Sequence, residues 1–382
     1  MGFQQLASIA ANSRTLHQQY QSQFPVTKSL IYLNHAAVAP LCRSAAEAMQ
    51  WLAEDALNNG SFHYPDWEKC YEEFRVSAAR LIGAHRDEIA IVKNTSEGIA
   101  TVALGLDWKA GDRIVAFREE FPANYFPWLR LEARGVEITW LSATDSLDQI
   151  ETAVRGAKLL AISFVQYLSG YRANLEAIGD ICNRHRCFFF VDAIQGLGVI
   201  PLDVERCKID ALSADGHKWM LGPEGCGVLY IRKSWQDRIE PIEFGWTNID
   251  NFSDYSNREM KLRPDAGRYE CGTLNTISIY GLRAAIDFLL EVGVERIGPD
   301  VIAAADRLAS AAVEKGYEVL GVRTPETAAG IVSIRKPGTD YRVTMGELRK
   351  RNITAAPRQG WVRLSPHFYI SPEAIENTID VL

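Results

Sequence analysis

The chain has 382 residues, 47% hydrophobic and 23% charged, which is material for one large and one small globular domain and too apolar for a disordered chain. A net charge of −7 with no basic run of five or more residues argues against a nucleic-acid partner, because phosphate backbones are bound by clustered Lys and Arg. No stretch approaches the roughly 20 apolar residues of a membrane span, the polar residues 1–29 lack a secretory core, and seven scattered cysteines without Cys-x-x-Cys spacing predict reduced, cytoplasmic usage and no zinc site.

In chain order, Leu6, Ile9 and Ala10 at helical spacing predict an N-terminal helix over residues 5–22. A short extended segment at 31–33 runs into Asn34-His35-Ala36-Ala37, and 45–57 reads as a helix. Over 65–83 the positions Trp67, Tyr71, Phe74, Ala78, Leu81 and Ile82 recur every three or four residues, a helix that Gly83 stops. From residue 88 the pattern alternates: strands at 88–92, 113–117, 137–141, 159–165 and 187–191, and helices at 95–105, 124–134, 148–155 and 174–186. Residues 209–213 and 228–231 read as two more strands. Such alternation implies an α/β fold with a mainly parallel sheet covered on both faces, in a large domain expected to span 30–277. Beyond it, helices at 278–292, 299–315, 343–351 and 372–381 mix with short strands at 317–320, 331–334 and 362–364, a smaller α+β unit.

Two residues organise the chemistry. Phe188-Phe-Phe-Val-Asp-Ala-Ile194 is a continuous apolar run ending in an acid, Asp192, and Lys218 lies on the turn between two further strands, in Ser213-Ala-Asp-Gly-His-Lys-Trp-Met220. Open parallel sheets bind ligands at the carboxyl ends of their strands, so Asp192 and Lys218 can face one crevice. A lysine amine forms a Schiff base with pyridoxal phosphate (PLP), and an aspartate keeps the pyridine nitrogen protonated. The bland alternative makes Asp192 a helix cap and Lys218 a solvated turn residue. Asn94-Thr-Ser-Glu-Gly98 lies between a strand and a helix, where free N–H groups suit a phosphate; simple capping predicts the same residues.

The combination Asp192-Ala-Ile-Gln195, Gly216-His-Lys-Trp219 and Cys271-Gly-Thr-Leu-Asn275 resembles the class V aminotransferases of the fold type I PLP enzymes, which include cysteine desulfurases and isopenicillin N epimerase. The likeness runs from about residue 32 to about 369. It implies that residues 1–29 join 278–382 in the small domain, and that Thr95, Ser96 and His217 contact the phosphate, although one buried, satisfied histidine is as good a reading of His217. Phe121 stands where relatives have a ring-stacking histidine; it can stack but cannot exchange a proton, and plain core packing is its alternative. Tyr167 or its neighbour Gln166 reaches the ring hydroxyl, with Gln195 near the same oxygen. Gly272-Thr273 reaches the phosphate of a partner subunit in a homodimer, or forms a mere loop. Arg363, in Trp361-Val-Arg-Leu-Ser365, binds the substrate carboxylate, unless it makes a surface salt bridge, and Asn34 and His35 are counted with it. Asp215 replaces a common serine and is not named a phosphate ligand.

In desulfurases of this family a nucleophilic cysteine precedes the arginine strand; here that stretch is Asn352-Ile-Thr-Ala-Ala-Pro-Arg-Gln-Gly360, and no cysteine follows Cys271. The expected activity is therefore first an aminotransferase or epimerase resembling isopenicillin N epimerase, acting on the amino group or α-carbon of an amino acid. A desulfurase-like or C–S lyase activity comes second, and a non-catalytic PLP-binding regulator third.

Overall fold

Seven strands form the main sheet: β1 (Ile89–Val92), β2 (Arg113–Phe117), β3 (Glu137–Leu141), β4 (Leu159–Ser163), β5 (Phe188–Asp192), β6 (Ala211–Asp215) and β7 (Gly227–Ile231). Their spatial order is β1-β7-β6-β5-β4-β2-β3, and only β7 runs against its neighbours. A parallel return needs a crossover of about a dozen residues or more, usually a helix, and none forms between β6 and β7. The chain there doubles back, which makes a mixed sheet of the mainly parallel one expected.

The aromatic run of β5 follows from burial on both faces. Phe188 and Phe190 pack into one core with Trp128, while Phe189 and Val191 point into the other, as period-two alternation requires. A small domain carries an antiparallel sheet in the order β10-β11-β9-β8, from β8 (Glu318–Val319), β9 (Val332–Arg335), β10 (Ala356–Arg358) and β11 (Trp361–Leu364). Ile31–Tyr32 pairs in parallel with Ile353–Thr354, and Asn34 bridges to Ser365.

The structure, a computed structural model, describes residues 15–382, so Leu6, Ile9 and Ala10 of the expected N-terminal helix lie outside the described residues; within them it shows the helix Leu16–Tyr20. The helix expected over 124–134 is instead three short pieces, Pro122–Asn124, Phe126–Leu129 and Arg130–Arg134. Pro122 and Pro127 each lack an N–H and can only begin a turn, and Tyr125 between them leaves helical geometry at φ −120°, ψ −58°. Among the described residues no helix is long and apolar enough to cross a membrane.

Candidate active site

Because β1, β2, β4, β5 and β6 run in one direction, the loops carrying Thr95, Phe121, Tyr167, Asp192 and Lys218 open at one edge of the sheet. The helix Thr95–Gly105 lies close against β6. A Cβ on Gly98 would fall 2.2 Å from Ser213 Oγ, so only glycine permits the approach, and Thr95 Oγ1 accepts a hydrogen bond from the Asp215 N–H at 2.9 Å. Thr95 keeps its hydroxyl hydrogen to donate, and Ser96 is exposed in the first turn. The turn holding Lys218 is stitched by His217 C=O accepting from Ala39 N–H (2.8 Å) and Lys218 C=O accepting from Leu221 N–H (3.1 Å).

Asp192 is 2% exposed; among the described residues the one hydrogen bond to its carboxylate comes from the Ile194 N–H to Oδ1 at 3.1 Å, which leaves Oδ2 free, while its backbone carbonyl accepts from the Phe164 N–H at 2.8 Å. Burial pushes its carboxyl up to about 6, against the opposing pull of Ile194 and the Lys218 charge. Lys218 has no ion-pair partner among the described residues; burial drives it down to about 8, offset in part by Asp192 and reinforced by Arg363. Its Nζ lies 5.7 Å from the ring centroid of Phe121, which is 44% exposed and meets Tyr167 edge-on at 5.3 Å. The Phe121 face is thus presented to the crevice, and the plain-core alternative does not describe it.

Gln166 is committed elsewhere: its Oε1 accepts from the Leu168 and Ser169 N–H groups, and its Nε2 donates to the Glu119 carbonyl. Tyr167 OH accepts from Gln359 Nε2 at 2.7 Å and keeps its hydrogen. Gln195 is held by Trp219 Nε1 at Oε1 (2.9 Å) and by the Ala36 carbonyl at Nε2 (3.0 Å), with one amide N–H left over. His217 Nδ1 lies 3.0 Å from Asp215 Oδ2, without hydrogen-bond geometry. Gly272 and Thr273 line a separate recess with Lys93, Glu97 and Glu243, and Thr273 is exposed there.

Arg363 is 2% exposed, so the surface salt bridge is excluded. Its Nη1 donates to the Tyr167 carbonyl at 2.8 Å, while Nε and Nη2 are buried without partners among the described residues. Asn34 Oδ1 is likewise buried and has no partner among the described residues. His35 is a correction. It is fully buried, with Nδ1 2.8 Å from the Ser365 carbonyl and Nε2 2.6 Å from Tyr369 OH, and burial lowers it to about 4. Both nitrogens are used in joining the N-terminal turn to the segment after β11, so nothing remains for a substrate.

Sequence reasoning missed Glu120, which precedes Phe121. Its carboxylate accepts from the Ser163 N–H at 2.7 Å and from the Ser163 hydroxyl, and burial with the nearby Asp192 charge pushes it up to about 7. It also missed the β10–β11 hairpin, although Gln359-Gly360 before a strand is a turn signal.

The arrangement fits PLP. A free buried carboxylate oxygen, a buried lysine with no acid bonded to it, an aromatic face and a helix amino terminus would hold its ring nitrogen, aldehyde, ring and phosphate. The low Lys218 value has a measurable consequence. At neutral pH roughly a tenth of such an amine is neutral, against less than about a thousandth at the ordinary value. Borohydride-trapped labelling of the apoprotein by pyridoxal phosphate should map to Lys218 and level off above pH 8; continued rise past pH 10 would mean an ordinary lysine.

Residues 31–360 match the family profile Aminotransferase class-V. An uncharacterized aminotransferase, YcbU, from Bacillus subtilis is 31% identical over 370 residues, covering 96% of this chain and 97% of the relative. A probable cysteine desulfurase from Pyrococcus abyssi is 32% identical, covering 95% and 96%. The fold is shared with the cystine C–S lyase C-DES, solved as a mutant with glycine covalently linked to its PLP cofactor, at TM-score 0.87 and 23% identity over 94% of this chain and 97% of that one.

Proposed function

The chain belongs to the class-V aminotransferase family of PLP-dependent enzymes, and on that premise we propose that it breaks the Cβ–S bond of a sulfur-bearing α-amino acid by β-elimination, with no thiol of its own receiving the sulfur. This reverses the order expected from the sequence, where transamination or epimerisation came first. Desulfurase relatives support the sulfur substrate, and one structural observation carries the rest. β10 and β11 are joined by the two residues Gln359 and Gly360, with φ of 48° and 82°, the positive pair that a type I′ turn uses. So tight a hairpin has no length for a loop bearing a nucleophile. The cysteines among the described residues are buried, except for the half-buried Cys207 and Cys271, whose thiols burial pushes up, away from the thiolate.

PLP, when bound, supplies an electron sink for the pair left by the departing α-proton. The protein's part is positioning and proton transfer. Arg363 offers Nε and Nη2 to the substrate carboxylate, which fixes the α-carbon toward Lys218, whose value near 8 suits a base at neutral pH. Asp192 turns its free oxygen to the ring nitrogen, whose positive charge would lower the carboxyl from 6 and keep it ionised. In the net reaction, R–S–CH2–CH(NH3+)–COO− and water give R–SH, pyruvate and ammonium, with no redox change. The exposed Thr273 and the exposed apolar Phe244, Trp246, Tyr255 and Met260 support a homodimer in which Thr273 reaches the partner's phosphate.

The test is product analysis on purified holoenzyme given S-substituted cysteines, repeated with all seven cysteines replaced by Ser or Ala. Pyruvate and thiol in equal amounts from both proteins are expected. With free cysteine as a further substrate, alanine and a persulfide trapped on one cysteine would make it a desulfurase, and an inverted amino acid or a keto acid that keeps its side chain would restore the first sequence-based expectation.

A further inference from the structure

Two neighbouring guanidiniums, Arg363 and Arg358, stand at the substrate end of the crevice, and one α-carboxylate can pair bidentately with only one of them. Elsewhere the chain pairs its buried arginines with acids: Arg75 with Glu270 at 2.5 Å, Arg268 with Asp237 at 2.8 Å. Arg363 and Arg358 have no such partner among the described residues. Among the described residues Arg363 leaves two buried nitrogens unbonded, and the guanidinium of the half-buried Arg358 makes only a bond from Nη1 to the Pro357 carbonyl at 2.8 Å.

Register places the two guanidiniums together. Ala356 lies opposite Arg363 in the β10–β11 pair, and Arg358 is two residues beyond Ala356, hence on the same face and diagonal to Arg363. That face packs on the loop after β4: Arg363 donates to the Tyr167 carbonyl and Ser333, paired with Arg363 from β9, donates to the Leu168 carbonyl at 2.6 Å. Gln359 ties the turn to Tyr167 OH, so Arg358 is carried on a fixed hairpin. Both guanidiniums act electrostatically on Lys218. The phosphate is assigned to the helix at Thr95, which is bonded to β6, two strands or roughly 10 Å from β4. It does not neutralise this end.

We propose that Arg358 binds a carboxylate at the far end of the substrate side chain, so that the amino acid turned over is a dicarboxylate. This rests on the β-elimination reading only for the bond that is broken; the charge preference stands on the two arginines. Arg363 takes the α-carboxylate, and Arg358, on the same face toward the hairpin turn, takes the distal one. The half-burial of Arg358 suits a group at the mouth of the crevice.

The experiment compares S-(2-carboxyethyl)cysteine with its carboxamide isostere on wild-type holoenzyme and on Arg358→Gln. The acid is expected to exceed the amide in kcat/KM by about tenfold or more, chiefly through KM, and Arg358→Gln should bring the ratio to within about threefold. A wild-type ratio near one overturns the proposal. So does an equal loss on both substrates in the variant, which a purely structural role would give. If neither compound is cleaved, the β-elimination reading fails. Titration of the holoenzyme's visible absorption with 2-aminoadipate and its δ-amide then decides the charge preference: tighter binding of the acid that Arg358→Gln removes upholds it, and equal binding overturns it.

Discussion

Lys218→Ala is expected to give a folded protein that no longer retains PLP through borohydride reduction and whose turnover falls by at least the roughly 10²–10⁴-fold that a positioned acid–base group supplies. The fold should not suffer. Lys218 is buried with no acid bonded to it among the described residues, and the depression to about 8 says that its charge is held at a cost. Removing that ammonium should leave the melting temperature of the apoprotein unchanged or higher. Added methylamine should recover part of the lost activity, because a small amine can take up the missing proton-transfer role; a failed fold would not respond. Covalent cofactor retained at the wild-type level in the alanine protein would remove Lys218 from the reaction.

Legibility in the sequence followed the strength of local constraint. β2 and β3, and the helices Thr95–Gly105 and Pro372–Val381, fall where the pattern predicts them, because their apolar spacing and end residues agree. Asp192 and Lys218 could be brought together from sequence because strand ends in a parallel sheet share one edge, so linear order already carries geometry. The rest needed long-range packing. His35 reads as a site residue by its place beside Asn34, yet its partners Ser365 and Tyr369 lie some 330 positions away in the chain. Glu120 looks like a solvated acid until the Ser163 N–H closes over it. The β10–β11 hairpin was hidden by its length: three residues are too few for alternation to show, so Arg358 read as loop and its alignment with Arg363 stayed invisible. Proline punctuation at 122 and 127 was present and outweighed the helical spacing of 124–134.

Arg363→Ala is the second large effect expected. In the wild-type protein Arg363 is 2% exposed, anchored by Nη1 on the Tyr167 carbonyl, with Nε and Nη2 buried and unbonded among the described residues. Buried donors left without acceptors are costly, and burial with the neighbouring Arg358 charge lowers the group to about 9. A carboxylate answers both deficits by a bidentate pair. The alanine variant leaves the substrate carboxylate unpaired in the same space, and the loss in kcat/KM should be about 2–5 kcal/mol, roughly 30-fold to several thousand-fold. PLP content and the visible spectrum should stay as they were, because Arg363 belongs to the small sheet and faces the loop after β4. Stability should hold or rise, since an unpaired buried charge has gone. Arg363→Lys should recover little, because one ammonium cannot reproduce the two parallel donors. A kcat/KM within about threefold of wild type for the alanine protein, with the substrate carboxylate still required, would move carboxylate binding from Arg363 to Arg358 and with it the assignment of the distal group.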